Sequence, residues 1–111
     1  MAEVAIGPLS QIPPGEGRNF QLGQQTIAVF HTRGGAVFAT QAACPHRAGP
    51  LADGLIDEAS VICPLHERMF SFASGAGIGN DCALTIYPAR LDSAGMILLT
   101  TSGSRGLAIP D

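Results

Sequence analysis

The sequence predicts a single all-β domain of short antiparallel strands with a turn-rich insert. Its 111 residues include 14 glycines and 8 prolines, a share typical of a fold with many turns and few long helices. Runs of β-branched and aromatic residues are short, and turn residues separate them. The length suits one domain, which we expect to span residues 1–111, and an apolar content of 46% is enough for one hydrophobic core.

The first part of the chain predicts an edge strand followed by a hairpin. The predicted strands before residue 43 are 2–6, 26–32 and 36–40. Gly7-Pro8 should stop the first strand, and residues 11–17, which hold Pro13-Pro14-Gly15, are predicted to form a loop. The other two strands flank Gly34-Gly35, an arrangement typical of a β-hairpin.

From about residue 43 the chain changes character, because proline and glycine punctuate it closely. One strand is predicted near Leu55–Ile62, and residues 69–73 alternate so that Phe70 and Phe72 share a face that we expect in the core. The later predicted elements are a glycine loop at 75–79, a second hairpin of 84–91 with 96–101, and a loose tail from Ser102. The glycine loop lacks the strand–helix unit of a phosphate-binding loop, so we interpret it as a turn.

Charge and hydropathy exclude several classes of protein. The net charge is −3 and all six basic residues are scattered arginines, which argues against a nucleic-acid or anionic-membrane partner. No apolar run reaches the ~20 residues that span a bilayer, and the N-terminus lacks the basic region of a signal peptide. We therefore expect a cytoplasmic protein, in which three cysteines favour metal or redox chemistry over disulfides.

Two short motifs carry the chemistry. Cys44-Pro45-His46 and Cys63-Pro64-Leu65-His66 each pair a thiol with an imidazole in a proline-bearing turn, and sixteen residues separate them. Zinc fingers usually pair like ligands, whereas each loop here offers one of each kind. This pattern is expected when one metal takes both sulfurs and another takes both nitrogens. A structural zinc module, or buried cysteines with unrelated surface histidines, remains the alternative.

The two motifs, Cys44-Pro45-His46-Arg47-Ala48-Gly49-Pro50-Leu51 and Cys63-Pro64-Leu65-His66, resemble the cluster-binding loops of Rieske proteins, and the resemblance extends over about residues 26–100. It implies a Rieske-type fold, in which an antiparallel β-sandwich or barrel base carries an inserted cluster-binding subdomain at about 43–72. It also implies one [2Fe–2S] cluster per chain. By the resemblance, Cys44 and Cys63 bind one iron, and His46 and His66 bind the other.

The surroundings of the predicted ligands favour a low reduction potential. High-potential Rieske proteins have an extra cysteine in each loop, joined as a disulfide, where this chain has Gly49 and Leu65. They also have a serine two positions after the second histidine, where this chain has Arg68. We therefore expect the low end of the Rieske range, at about −150 mV. Glu67 stands where many relatives have glycine, and a carboxylate close to the cluster would disfavour its reduction further.

The resemblance offers two kinds of redox partner for an electron-transfer protein without a catalytic site of its own. Small subunits of NAD(P)H-dependent nitrite reductase share both motifs and often carry a cysteine before a Tyr-Pro pair, as Cys82 precedes Tyr87-Pro88 here. That similarity favours the nitrite reductase large subunit as partner. Rieske ferredoxins of aromatic-ring dioxygenases share the ligands, and a ferredoxin reductase with an oxygenase is the alternative.

Other chemistry-bearing side chains have simpler interpretations. We interpret Cys82 as a small buried apolar residue and His31 as an exposed residue of the first hairpin. Arg47 and Arg68 follow the predicted histidine ligands closely. Three roles are open to each arginine: it steers a partner, it tunes the cluster, or it is a solvated surface charge.

Overall fold

A computed structural model describes residues 2–22, 25–44, 50–64, 68–79 and 82–101. Within these ranges the chain forms eleven strands: β1 Ala2–Pro8, β2 Glu16–Leu22, β3 Gln25–His31, β4 Val37–Gln41, β5 Leu55–Ile56, β6 Ser60–Ile62, β7 Met69–Ser71, β8 Gly77–Ile78, β9 Ile86–Tyr87, β10 Ala89–Leu91 and β11 Met96–Thr101. Two 3₁₀ turns, Leu9–Gln11 and Leu51–Asp53, complete the described elements. The predicted loose tail from Ser102 lies outside them. No helix in the described ranges is long and apolar enough to cross a membrane.

The strands form three antiparallel sheets across the described residues, with the orders β1-β11-β10, β2-β3-β4-β9 and β5-β6-β7-β8. The all-β prediction is therefore confirmed. The first predicted hairpin is also confirmed, since β3 pairs with β4 in a register that sets Phe30 opposite Phe38. Gly35 adopts φ +97° in the connecting turn, a conformation that side chains with a Cβ rarely adopt.

The central strand β3 serves two hydrophobic cores because both of its faces are buried. Ile27 and Val29 belong to a core shared with Ile97 of β11. The alternate residues Ala28 and Phe30 belong to a second core, which is shared with residues of the β5–β8 sheet. Since successive side chains of a strand point to opposite faces, β3 separates the two cores and carries one on each side.

Three observed strands extend into segments that were predicted as loops or turns. The predicted loop 11–17 ends early, because β2 begins at Glu16. The side chains of β2 are mostly exposed, so its sequence shows little of the apolar periodicity that predicts a strand. The first strand runs on to Pro8 through an irregularity in register between Ala5 and Gly7. The predicted glycine loop at 75–79 contains the short strand β8, which pairs with β7.

Two predicted single strands are each divided. The segment 55–62 is a hairpin of β5 and β6, whose turn is held by Asp57: its Oδ1 accepts hydrogen bonds from the amides of Ala59 (2.8 Å) and Ser60 (2.7 Å) and from the Ser60 hydroxyl (2.9 Å). The segment 84–91 splits at Pro88 into β9, which pairs with β4, and β10, which pairs with β11. Only β10 and β11 therefore form the second hairpin.

Candidate metal centre

The loop that follows Cys44 is closed at its base by backbone pairing. Ala43 and Pro50 form an isolated antiparallel bridge, and the amide of Leu51 donates to the carbonyl oxygen of Ala42 at 3.0 Å. Cys44 itself is buried, with 3% of its surface exposed. The first motif therefore begins at a fixed, buried thiol immediately inside the closed base of a short loop.

Gln41 fastens the same loop base to the neighbouring segment of chain. Its side-chain nitrogen donates to the carbonyl oxygen of Ala43 at 2.7 Å, and its side-chain oxygen accepts from the amide of Thr85 at 2.8 Å. Gln41 was not among the residues that the sequence predicted for the site. A glutamine at the end of a β-run carries no signal of such a role, because the contact to Thr85 is long-range.

The second motif begins at an equally buried thiol. Cys63 follows β6 directly and is 1% exposed, and its amide donates to the carbonyl oxygen of Arg68 at 2.8 Å. That bond continues the ladder in which Ile62 pairs with Met69. Cys63 and Arg68 therefore extend the antiparallel pairing of β6 with β7 by one position.

The structure brings the two cysteines together in one hydrophobic core. Cys44 and Cys63 belong to the same buried cluster as Leu51 and Phe70. Cys82 is only partly buried and packs against this cluster. None of the chain's three cysteines, all of which lie in described ranges, forms a disulfide. Two thiols are therefore held in one core, and thiolate sulfur is a soft ligand suited to iron–sulfur clusters.

Both predicted histidine ligands, His46 and His66, lie outside the described residues, as do Arg47, Gly49, Leu65 and Glu67. Within the described part, no group of three or more histidine, cysteine, aspartate or glutamate side chains is placed to hold a metal. The features that fit a cluster are the two buried thiols and a depression beside Cys63. The depression has a volume of about 550 Å³, and among the described residues Leu55, Ile62, Cys63 and Pro64 line it.

The remaining sequence candidates have structural roles. His31 is half-buried rather than exposed, and its Nδ1 lies 2.6 Å from the carbonyl oxygen of Ile12, which it contacts as a donor. The predicted core positions Phe70 and Phe72 are confirmed at 0% and 1% exposure. At the glycine turn, the amide of Leu84 donates to the carbonyl oxygen of Gly75 at 2.7 Å, so this segment closes on its own backbone.

The carboxylates with shifted pKa values lie outside the core that holds the two cysteines. Hydrogen bonds from the backbone of Ala59 and the hydroxyl of Ser60 lower the pKa of Asp57. The Arg90 guanidinium lowers the pKa of Glu3 through a paired hydrogen bond at 2.6 and 2.7 Å. The hydrogen bonds of Asp57 stabilise the β5–β6 turn, and those of Glu3 join β1 to β10. Neither Asp57 nor Glu3 belongs to the core of Cys44 and Cys63.

Comparison with known proteins defines the class of this domain. The profile of the Rieske [2Fe-2S] domain matches residues 2–88, so the chain belongs to the Rieske family. It is an electron-transfer protein, and its cofactor is a [2Fe–2S] cluster. The family resemblance seen in the two motifs and the expected Rieske-type fold are thereby confirmed.

The chain is similar to ferredoxin components of dioxygenases and to structures of nitrite reductase small subunits. The anthranilate 1,2-dioxygenase ferredoxin subunit of Burkholderia cepacia is 30% identical over 91 residues, which cover 78% of this chain and 81% of that protein. A crystal structure from Mycobacterium tuberculosis, assigned as the NADH-dependent nitrite reductase small subunit, has a TM-score of 0.80 at 20% identity, covering 88% of this chain and 93% of the other. The ferredoxin of carbazole 1,9a-dioxygenase from Nocardioides aromaticivorans IC177 has a TM-score of 0.78 at 25% identity, with coverages of 90% and 98%.

Proposed function

We propose that one [2Fe–2S] cluster is held by Cys44 and Cys63 on one iron and by His46 and His66 on the other. The observation that supports this assignment is the burial of both thiols in one core, each at the start of a loop whose base is closed by backbone hydrogen bonds. We include these loops in a cluster-binding subdomain at about 43–72, within one domain across residues 1–111.

The bound cluster supplies a site that accepts and releases one electron. The protein's own residues set the charge and the solvation around that site. Replacing two thiolates by neutral imidazoles removes two negative charges from the ligand set, which makes the addition of an electron less costly. Burial of Cys44 and Cys63 keeps water from the two sulfur atoms, and backbone hydrogen bonds at the loop bases fix the positions of both residues.

We infer that the electron is relayed to or within an NAD(P)H-dependent nitrite reductase, with this chain as the small subunit. The observation that carries this inference is Cys82, which precedes Tyr87-Pro88 as in that group and packs against the core of the two predicted cysteine ligands. The Tyr87 hydroxyl lies 2.7 Å from the side-chain nitrogen of Gln25, from which it accepts a hydrogen bond. Cys82 thus lies against the core of Cys44 and Cys63, whereas Tyr87 packs against the core on the other side of β3.

A second candidate is a ferredoxin that delivers electrons to an aromatic-ring oxygenase. The 30% identity to the anthranilate dioxygenase ferredoxin subunit favours this role. The two candidates share the same electron-transfer chemistry and differ only in the proteins that load and drain the cluster. A structural zinc module, the third interpretation of the motifs, is disfavoured by the family match.

The partner is tested by capture of the tagged holoprotein from its own cells. For the first candidate, the captured complex contains flavin and sirohaem and reduces nitrite with NADH or NADPH. For the second, it contains an oxygenase that consumes oxygen with an aromatic substrate. Recovery of the oxygenase without nitrite-reducing activity would contradict the first candidate.

The ligand assignment is tested separately on the purified protein. Cys44→Ser and Cys63→Ser should each lose the cluster, seen as loss of visible absorbance and of bound iron. Cys82→Ser is the matched control and should keep both, because Cys82 is not a predicted ligand. Retention of a full cluster by Cys44→Ser would contradict the assignment.

A further inference from the structure

Four large apolar side chains form a row across the β5–β8 sheet. The register sets Leu55 opposite Ile62, Ile62 opposite Met69, and Met69 opposite Ile78. Directly opposed residues of antiparallel strands place their side chains on the same face of a sheet. Leu55, Ile62, Met69 and Ile78 therefore share one face, which we call the apolar row.

The apolar row faces away from the core. The alternate residues of the same strands, which must point to the opposite face, include Val61 and Phe70, and both are completely buried. In the row, by contrast, Leu55 is 74% exposed and Ile78 is 51% exposed, while Ile62 and Met69 are half-buried. A sheet with one buried face would ordinarily alternate apolar and polar residues, and this sheet carries apolar residues on both faces.

The position of the apolar row links it to the cluster site. Single exposed apolar residues are common on protein surfaces and need no explanation, but a contiguous set marks an interaction site. Three large apolar residues are exposed in the described ranges, and two of them, Leu55 and Ile78, lie at the ends of this row. Ile62 directly precedes Cys63, and the depression of about 550 Å³ beside Cys63 is lined by Leu55, Ile62 and Pro64.

The charged residues next to β5 in the chain bear on what kind of surface covers the apolar row. In the described residues from 50 to 79, the charged side chains are Asp53, Asp57 and Glu58 against the single Arg68. The three carboxylates flank β5, on which Leu55 lies, and all three residues are exposed. A two-fold contact with a second copy would set like charges against each other, whereas arginine or lysine on a different protein would complement them.

We propose that the apolar row is the docking surface for the protein that exchanges electrons with the cluster, and that this protein presents an apolar patch bordered by arginine or lysine. The inference rests on the proposed function as an electron relay, but not on the choice between its two candidates. It places the docked partner directly beside Cys63, a predicted cluster ligand. The depression at the Leu55 end of the row would accept one apolar side chain of the partner.

The test uses Leu55→Ser combined with Ile78→Ser in the holoprotein, with Leu55→Ser alone as a milder variant. Val4→Ser is the matched control, because Val4 is also an exposed aliphatic residue but lies on β1, in a different sheet. The probe is the nitrite reductase large subunit or the ferredoxin reductase of the same cells, whichever reduces the wild-type protein with NAD(P)H. Stopped-flow spectroscopy under anaerobic conditions measures the rate of cluster reduction against the concentration of this chain.

The double variant should raise the KM for this chain about tenfold, which corresponds to about 1.4 kcal/mol, because a docked partner would bury both side chains and a serine at each position would lose that apolar contact. Val4→Ser should match the wild type. Reduction by dithionite should be the same in all variants, because it requires no docking. Failure of both enzymes to reduce the wild-type protein would reject the proposed function, whereas an unchanged KM in both row variants would overturn the docking surface alone.

A charge variant tests the second half of the proposal. Asp53→Asn should slow the association with the partner at low salt, and the difference from the wild type should disappear at high salt, where charges are screened. A wild-type dimer that the double variant disperses would overturn the proposal in favour of a second copy. Binding of wild-type protein, but not of the double variant, to phosphatidylcholine vesicles would overturn it in favour of a lipid surface.

Discussion

The rings of Phe38 and Phe72 stack face to face, with centroids 4.6 Å apart and planes 6° from parallel. Phe38 lies on β4 of the β2-β3-β4-β9 sheet, whereas Phe72 directly follows β7 of the β5–β8 sheet, in which β6 leads to Cys63. Phe72 also contacts Phe30 of β3 at a centroid distance of 5.2 Å. One side chain from the insert therefore rests on two strands of the base, and this contact helps to fix the insert on the central sheet.

Truncation of Phe72 should destabilise the whole protein. Phe72→Ala removes both ring contacts and leaves a cavity, for which the expected loss in the free energy of unfolding is about 3–5 kcal/mol. Phe72→Leu refills part of the volume and should lose less. Urea unfolding followed by circular dichroism measures both, with exposed Val4→Ala as control. A loss below about 1 kcal/mol for Phe72→Ala, the range of surface substitutions, would show that the insert is not held by this contact.

Gly54 is expected to be intolerant of a side chain because of its contact with the strand that leads to Cys63. A Cβ at this position would overlap the carbonyl oxygen of Ile62. Gly54→Ala should therefore displace β6, lower the stability by about 1–3 kcal/mol and reduce the cluster content.

Gly34→Ala is the matched control for Gly54→Ala. A Cβ at Gly34 would meet only the flexible end of the Glu58 side chain, which can move aside. Iron content and thermal unfolding compare the two variants. Equal iron content and equal melting temperatures would contradict a role of the Gly54 contact in the site.

Asp57 should make the β5–β6 hairpin sensitive to acid. Its hydrogen bonds hold the pKa of the folded carboxyl below the unfolded value of about 3.9. The stabilisation is present above the unfolded pKa and is lost as the pH falls through the folded pKa, because protonation removes the charged acceptor. Asp57→Asn should thus flatten the fall in melting temperature below about pH 4.

Two further variants bracket the Asp57 effect. Asp57→Ala removes the accepting oxygen and should cost about 1 kcal/mol near neutral pH. Asp53→Asn, on the preceding 3₁₀ turn, is the charge control, because it removes one negative charge without removing the hydrogen bonds of Asp57. Thermal unfolding from pH 3 to 7 compares the variants. If the melting temperature of Asp57→Asn fell at low pH as steeply as that of the wild type, Asp57 would not be the source of the acid sensitivity.

The reduction potential should lie at the low end of the Rieske range, at about −150 mV. The chain has neither the loop cysteines of the high-potential proteins, as Gly49 and Leu65 stand in their places, nor their serine, as Arg68 stands there. A redox titration of the purified protein followed by visible absorbance measures the potential. A clearly positive value would contradict this prediction.

Much of the fold and the class of the site could be predicted from the sequence because their signals are local. The hairpin around Gly34-Gly35 follows from two β-runs and a glycine pair, and the Rieske family follows from two contiguous motifs. Strand β2 was missed because its side chains are mostly exposed, so its pairing with β3 determines it rather than any periodicity of its own. The segment 84–91 is divided because its first part pairs with β4 and its last part pairs with β11 of a different sheet. The sequence of the segment alone carries no signal of these two pairings.

The contacts around the predicted ligands were equally beyond local sequence. The clamp of Gln41 on Ala43 and Thr85 joins residues far apart in the chain. The apolar row depends on the register of four strands, which only the folded sheet defines. The motifs predict a ligand set, which stays a prediction, whereas the support of the loops and the surface beside them required the structure.

The most direct test of the central claim is pulsed EPR spectroscopy of the dithionite-reduced protein. With His46 and His66 on one iron, the spectrum should show a [2Fe–2S] signal coupled to two histidine nitrogens. An EPR-silent, colourless protein would contradict the account in favour of zinc. A [2Fe–2S] signal without nitrogen couplings would contradict the proposed ligand set.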